Sequence, residues 1–124
     1  EISTSQDEYK RKPTYRWGII YLENHKLIGM IDVVSYLADG TPAIGYVMSE
    51  DYWGQGIMSE AFEAVIKYLK KQGFKKIFIT AQVENIGSNR VIQKQGFIFD
   101  RVVTTPQGND KPNLVNKNEY HLDL

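Results

Sequence analysis

Two short segments of the chain carry residues whose types and spacing could bind and act on a phosphorylated molecule. The first has the sequence Trp53-Gly54-Gln55-Gly56-Ile57-Met58-Ser59. Its two glycines allow a sharp turn and a close approach to a ligand, and the amphipathic segment behind it predicts a helix whose first amides have no internal partner. A phosphate placed there gains hydrogen bonds and a favourable dipole. The dipole contributes only about 0.3–1 kcal/mol, so the amides would carry most of the affinity.

Two common phosphate-binding loops do not fit this segment. A P-loop requires Lys and then Ser or Thr after its last glycine, whereas Ile57 and Met58 follow Gly56 here. A dinucleotide fingerprint requires a third glycine or alanine and an acid about 20 residues later, but Ser59 takes the third position and lysines occupy the region of the acid. A plain strand-to-helix turn is an equally simple explanation of the two glycines.

The second segment runs from Asn85 through Ser88 to the pair Gly96-Phe97. Asn85 and Ser88 are both good helix caps, and capping is the simpler explanation for either residue alone. The strand before Asn85 and the glycine loop can nevertheless face each other across a strand-helix-strand unit. Ligands of sheets with parallel strands tend to bind beyond the carboxyl ends of those strands.

The elements that must position these segments follow from hydrophobic patterning. Aromatic and β-branched runs predict strands at residues 15–22, 27–34 and 43–48, joined by short turns into an antiparallel meander. The second of these strands is nearly all apolar and is predicted to be buried on both faces. Apolar residues at helical spacing predict a helix at residues 57–72, closed by a glycine cap at Gly73.

The second half of the chain continues with alternating patterns. We predict a strand at residues 76–83, a short helix at 87–95, a strand at 97–103, a polar loop at 104–112 and a last short strand at 119–124. The strands before and after the long helix can form one parallel crossover unit. The predicted fold class is α+β, or mixed α/β, in a single domain of residues 1–124. Residues 1–12 are polar and are predicted to be a loop or the end of a helix.

Composition narrows the function. The chain has 124 residues, of which 42% are hydrophobic and 24% charged, which is ordinary for one globular domain. Fifteen basic and fifteen acidic side chains cancel, so nucleic-acid or membrane binding driven by bulk charge is not expected. The absence of cysteine excludes a thiol nucleophile, and with two histidines no metal site is expected. No apolar run reaches the roughly 18–20 residues that span a bilayer, so a cytoplasmic location is expected.

In order and spacing, these motifs resemble the Gcn-related N-acetyltransferase (GNAT) superfamily, and within it the Rim-type branch that includes ribosomal-protein-alanine N-acetyltransferases. The resemblance is carried by Ile44-Gly45-Tyr46, by residues 52–61, and by Glu84-Asn85 through Ser88-Asn89 to Gly96-Phe97. It implies the acyl-CoA N-acyltransferase fold and transfer of an acetyl group from acetyl-CoA to a primary amine, without a metal. Relatives have a first strand and one or two helices before the segment that matches residues 15–22, so this chain is expected to be short at its start.

The resemblance also implies how the cofactor is held. Loop amides should bind the CoA pyrophosphate, and the strands ending at Met48 and Val83 should splay so that the pantetheine arm bonds to the backbone of Val47 and Met48. Asn85 should bond to the arm. The implied cofactor contacts are Val47, Met48, Trp53, Gly54, Gln55, Gly56, Ile57, Met58, Ser59, Asn85, Ser88, Asn89 and Arg90. Trp53 is typical of the Rim-type branch, whereas Met58 departs from the usual glycine or alanine.

Only some of the catalytic residues that the resemblance implies are found in this sequence. Many relatives use a tyrosine four residues before the Gly-Phe pair, but Ile92 stands there. Ser88 matches a serine that is proposed, in the alanine-acetylating branch, to stabilise the departing thiolate. That branch also has a glutamate at the position of Gln107, so the resemblance does not identify a general base here.

Three residues could replace the missing base, namely Tyr46, Glu50 and Asp110. Each also has a simpler explanation, as a packed aromatic in the first case and as a solvated acid in the other two. Positioning can supply about 7–11 kcal/mol, which exceeds the typical 10²–10⁴-fold effect of a base. Activity therefore does not require a dedicated base, since water can relay the proton.

Three functions remain open from the sequence. The first is an N-acetyltransferase that acts on a protein N-terminus or a small amine. Such an enzyme could be a homodimer in which a second subunit supplies the missing wall of the acceptor groove. The second is a non-catalytic CoA-binding module that has lost acceptor binding. The third is an interaction domain without a cofactor. Peptide termini, aminoglycosides and polyamines all remain candidate acceptors, although the balanced charge disfavours a strongly polycationic one.

Overall fold

The computed structural model describes residues 14–106 and 113–124. In chain order these form β1 (Arg16–Tyr21), β2 (Lys26–Tyr36), β3 (Pro42–Met48), a 3-10 helix (Glu50–Tyr52), α1 (Ile57–Lys71), β4 (Lys76–Gln82), α2 (Ile86–Lys94), β5 (Ile98–Pro106) and β6 (Leu114–Asp123). The predicted loop or helix end at residues 1–12, and the positions of Gln107 and Asp110, lie outside the described residues.

The strands form one six-stranded sheet in the order β1-β2-β3-β4-β6-β5. The first three pair antiparallel as the predicted meander, and β3 pairs parallel to β4 through the crossover that contains α1. The remaining pairs are antiparallel. The mixed α/β class and the crossover predicted from the sequence are thereby confirmed.

The core lies between one face of this sheet and the two described helices. Ile77, Ile79 and Ala81 alternate along β4 and are all buried on that face. They pack in one cluster with Phe62 of α1 and Ile92 of α2, which are fully buried. Because β3 and β4 run parallel and a helix follows each of them, the amino ends of both helices lie at the same end of the sheet.

The long helix ends as its sequence predicts. Gly73 has φ of 98°, a left-handed conformation that favours glycine. Its amide donates to Lys70 O, and the next amide, of Phe74, donates to Leu69 O. These two bonds form a Schellman motif, which confirms the predicted glycine cap.

Strand β2 is not buried on both faces, so that prediction is wrong. Leu27 and Val34 are each 61% exposed, while Ile31 and Val33 are buried against the helices. The apolar run of this strand suggested two covered faces, but in the described part of the chain the helices cover only one. Exposed apolar side chains on the other face include Ile20, Val47 and Ile98.

The last strand is also longer than predicted. β6 begins at Leu114 and β5 extends to Pro106, where the two residues face each other in the ladder. Residues 114–118 are rich in Asn and Lys, which have low β propensity. Cross-strand bonds such as Thr104 Oγ1 to Asn116 Oδ1, at 2.7 Å, satisfy these polar side chains within the sheet.

Candidate active site

The glycine loop presents a row of unpaired backbone amides at the start of α1. Gly54 and Gly56 have φ of 75° and 80°, which L side chains rarely adopt. The first helical hydrogen bond runs from the Glu60 amide to Gly56 O at 3.1 Å. Within the described residues, the amides from Gly54 to Ser59 donate to no acceptor, and no side chain caps this helix. A Cβ built on either glycine would meet nothing within 4 Å, so the space in front of the loop is open.

Two side chains of the loop hold it to the rest of the fold. The indole Nε1–H of Trp53 donates to Met48 O at 2.8 Å, which ties the start of the loop to the end of β3. Met58 is 4% exposed and packs in the core beneath the helix. Trp53 and Met58 therefore anchor the loop, and the groups that the loop leaves unpaired are backbone amides.

Strands β3 and β4 diverge next to this loop. Within the described residues their ladder consists of Ala43 opposite Phe78 and Ile44 opposite Ile79. Beyond these pairs, both strands continue to Met48 and Gln82 without pairing to each other. The divergence expected from the resemblance is confirmed, and it leaves a gap between the carboxyl halves of two neighbouring strands.

The backbone groups that face this gap are those of Tyr46 and Met48. The Ser49 amide donates to Ile28 O on β2, and groups on a strand alternate between its two edges. The carbonyl of Val47 likewise points at β2, since a Cβ built on Gly29 would lie only 2.6 Å from it. The register of β3 on β2 therefore turns the backbone groups of Val47 toward β2 and those of Tyr46 and Met48 toward the gap.

The start of α2 lies beyond the end of β4 and is fixed by two asparagines. Asn85 caps the helix through Oδ1, which accepts from the Ser88 amide at 3.0 Å. The Asn89 amide group donates to Gln82 O and Asn85 O, and its Oδ1 accepts from Tyr120 and Asn118. The side chain of Asn89, 9% exposed, thus has all its hydrogen-bonding groups satisfied within the described part of the fold.

A pair of hydroxyl groups joins β3 to the start of α2. The Tyr46 hydroxyl lies 2.5 Å from Ser88 Oγ and 3.4 Å from Ser88 O. The Tyr46 ring packs edge-on against Phe62, with centroids 5.1 Å apart. Burial raises the pKa of Tyr46, and the hydrogen bond between Tyr46 and Ser88 opposes this only in part, so the phenol is neutral near pH 7. Tyr46 is therefore a poor general base and a good hydrogen-bond donor.

Two other predicted site residues, Glu50 and Arg90, make no hydrogen bond to Tyr46 or Ser88 in the described part of the chain. Glu50 is exposed in the 3-10 helix, and Arg90 is exposed on α2. Neither side chain has a hydrogen bond or an ion pair with the described part of the chain. No group of three or more His, Asp or Glu there could hold a metal ion. No described helix is long and apolar enough to cross a membrane.

Sequence reasoning missed two residues that support the site. Tyr120, 1% exposed on β6, donates to Asn89 Oδ1 at 2.6 Å, and Asn118 of the same strand donates to that oxygen at 2.9 Å. The alternation of β6 puts both on the helix face. Tyr120 lies within the strand predicted at residues 119–124, whereas Asn118 lies in the polar segment before it, where no strand is predicted.

Comparison with known families gives a match over most of the chain. The acetyltransferase (GNAT) domain model matches residues 2–98. The uncharacterized N-acetyltransferase YnaD of Bacillus subtilis is 33% identical over 100 residues, which are 77% of this chain and 58% of the relative. The chain thus spans little more than half the length of this curated relative.

Two further matches are informative. The ribosomal-protein-serine acetyltransferase of Escherichia coli is 38% identical over 61 residues, which are 48% of this chain and 34% of that protein. The crystal structure of a GNAT-family acetyltransferase from Bacillus anthracis superposes with a TM-score of 0.76 at 29% identity. It covers 87% of this chain and 65% of the other.

Proposed function

This chain belongs to the family of GNAT acetyltransferases, and on that premise we propose that it transfers an acetyl group from acetyl-CoA to a primary amine by direct attack. A relative that acetylates a ribosomal protein is consistent with the Rim-type branch. The observation that carries the proposal is the meeting of three features in one place. These are the unpaired amides before α1, the gap beside β3, and the hydroxyl pair of Tyr46 and Ser88.

Each feature has a part in binding acetyl-CoA. The amides from Gly54 to Ser59 would bind the pyrophosphate, since anions bind well at helix amino ends. The loop from residue 53 to residue 59 contains no charged side chain, so the charge of the ligand would be met by amide dipoles. The pantetheine arm carries amide groups of its own. It would pair with the backbone groups of Tyr46 and with the Met48 amide on the edge of β3 that faces the gap, as an added strand does.

The acyl transfer itself would take place near Ser88. The lone pair of the amine attacks the thioester carbon, the C–S bond breaks with its electrons on sulfur, and the amine proton leaves to solvent. The Ser88 hydroxyl would donate a hydrogen bond to the departing thiolate. Preorganised donors of this kind lower the barrier because charge develops where they already point.

We propose a peptide amino terminus as the acceptor. An α-amino group has a pKa of about 7.7–8.0, so roughly a third of it is neutral near pH 7.5, whereas only about one lysine side chain in a thousand is. A site without a dedicated base favours the more acidic amine, because less deprotonation is needed. Within the described residues no carboxylate contacts the Tyr46 and Ser88 pair.

The test is a thiol-release assay with acetyl-CoA and matched acceptors. Peptides that begin with Ser or Ala should release CoA, and the same peptides with a blocked amino terminus should not. An aminoglycoside and a polyamine complete the panel. Calorimetry with CoA runs alongside the assay.

Two other outcomes would replace the proposal. CoA binding without turnover on any acceptor would favour a non-catalytic CoA-binding module. Absence of CoA binding would point to an interaction domain without a cofactor.

A further inference from the structure

We infer that Tyr46 is a positioning residue that orients the Ser88 hydroxyl so that its hydrogen is free to face the sulfur of the acyl donor. The inference rests on the proposed function and adds to it a residue that acts through another. The position that commonly supplies a tyrosine in relatives holds Ile92, which is fully buried in the core and cannot take that part.

The geometry fixes Ser88 from two sides. Its amide is held by Asn85 Oδ1 at 3.0 Å, and its hydroxyl by the Tyr46 hydroxyl at 2.5 Å. The Tyr46 ring is itself held edge-on against the fully buried Phe62. The hydroxyl of Tyr46 therefore has little freedom to move away from Ser88, although the two residues stand on different elements.

The direction of the hydrogen bond decides what Ser88 can do. A hydroxyl has one hydrogen to donate and two lone pairs to accept with. In the 2.5 Å contact between the Tyr46 hydroxyl and Ser88 Oγ, either group has a hydrogen to donate. A phenol, with an ordinary pKa of about 10, is far more acidic than an aliphatic alcohol and is the better donor, so we take Tyr46 as the donor and Ser88 Oγ as the acceptor. This leaves the Ser88 hydrogen available, whereas the opposite direction would turn lone pairs toward a developing thiolate.

The inferred role requires no proton transfer by Tyr46. When the C–S bond breaks, the electron pair stays on sulfur, and the Ser88 O–H donates a hydrogen bond to it. The Tyr46 O–H keeps its proton, since burial raises the pKa of the phenol. Removing the Tyr46 hydroxyl should therefore weaken the contribution of Ser88 without changing how CoA is bound.

A double-mutant cycle tests this with Tyr46→Phe, Ser88→Ala and the double variant. Tyr46→Phe keeps the ring against Phe62 and should lower kcat about two- to tenfold with little change in the Kd for CoA, as expected for one hydrogen bond. In the Ser88→Ala background the same change should have almost no further effect. Additive losses in kcat would overturn the inference.

A second readout does not depend on turnover. The pKa of the CoA thiol bound to each variant is measured from the ultraviolet absorbance of the thiolate. Tyr46→Phe and Ser88→Ala should both raise this pKa relative to the wild-type complex, and the double variant should match Ser88→Ala. Tyr68→Phe, which removes a hydroxyl from the exposed side of α1, is the matched control and should change neither readout.

The two readouts separate failure of the inference from failure of the proposed function. If no acceptor is turned over but the thiol pKa changes as described, the inference stands and the proposed reaction falls. If the wild-type chain acetylates a peptide but Tyr46→Phe matches it in both kcat and thiol pKa, the inference falls alone. If the wild-type chain does not bind CoA, both fall.

Discussion

The pyrophosphate site makes its sharpest prediction at Gly56. This residue caps α1 with φ of 80° and ψ of 2°, and its amide belongs to the unpaired row at the start of the helix. Proline at this position has no N–H and holds φ near −65°. Gly56→Pro therefore removes one donor and forbids the loop conformation that aims the others.

The expected loss of affinity follows from the donor that is removed. A hydrogen bond to a charged group contributes about 1.5–3 kcal/mol, which corresponds to roughly a 10- to 150-fold change in Kd. Misdirection of the neighbouring amides adds to this, so tenfold weaker CoA binding is the lower bound. A Cβ at this position meets nothing within 4 Å, so the expected loss comes from the missing N–H and the forbidden φ and not from a clash of the Cβ atom.

Calorimetric titration with CoA measures the change, and Gly73→Ala is the control. Gly73 lies at the other end of α1, with φ of 98° and open space around its Cβ position. Alanine there should cost about 1–2 kcal/mol of folding stability through left-handed strain and leave the Kd for CoA unchanged. Circular dichroism checks that both variants are folded at the temperature of the titration. A folded Gly56→Pro protein that binds CoA as tightly as the wild type would refute the placement of the pyrophosphate.

Three further predictions use the anchors around the site. Trp53→Phe removes the bond of the loop to β3 and should weaken CoA binding about two- to tenfold in calorimetry, with unchanged Kd counting against an anchoring role. Asn89→Ala leaves the buried Tyr120 hydroxyl unpaired and should lower the free energy of unfolding in urea by roughly 2–4 kcal/mol, and a loss below about 1 kcal/mol would show that water replaces the side chain. The pKa of Asp39 is lowered by hydrogen bonds from the Thr41 hydroxyl and amide, so its contribution to stability is present above the unfolded pKa and is lost as pH falls through the folded one. Asp39→Asn should therefore lose less stability than the wild type as the pH falls below about 4, the ordinary pKa of Asp, and parallel curves from urea unfolding would contradict this.

The features of this fold that the sequence predicts are those determined by interactions between residues close together in the chain. The caps at Asn85 and Gly73 depend on residues within one turn, and both are found as predicted. The glycine loop was identified for the same reason, because a positive φ at Gly54 and Gly56 is a property of those residues alone. Helix α1 follows from a strong apolar periodicity that ends at these signals.

What the sequence could not predict depends on contacts between distant residues. The Tyr46 and Ser88 pair joins residues 42 positions apart, and no local pattern brings them together. The orientation of Val47 is set by the register of β3 on β2, which a shift of one residue would invert. The early start of β6 depends on its pairing with β5, since the polar residues at its beginning favour a loop when taken alone.

The proposed recognition of the pyrophosphate by backbone amides would account for the unusual side chains of this loop. If arginine or lysine side chains bound the pyrophosphate, replacing them would remove the site, and the loop has none. Because the groups left unpaired at residues 54–59 are backbone amides, the side chain of Trp53 can hold β3 and that of Met58 can fill the core. The anchoring contacts of Trp53 and Met58 must then keep the loop in the conformation that has positive φ at Gly54 and Gly56. Loss of an anchor should therefore weaken binding less than loss of an amide, and the ratio of the Trp53→Phe effect to the Gly56→Pro effect measures this directly.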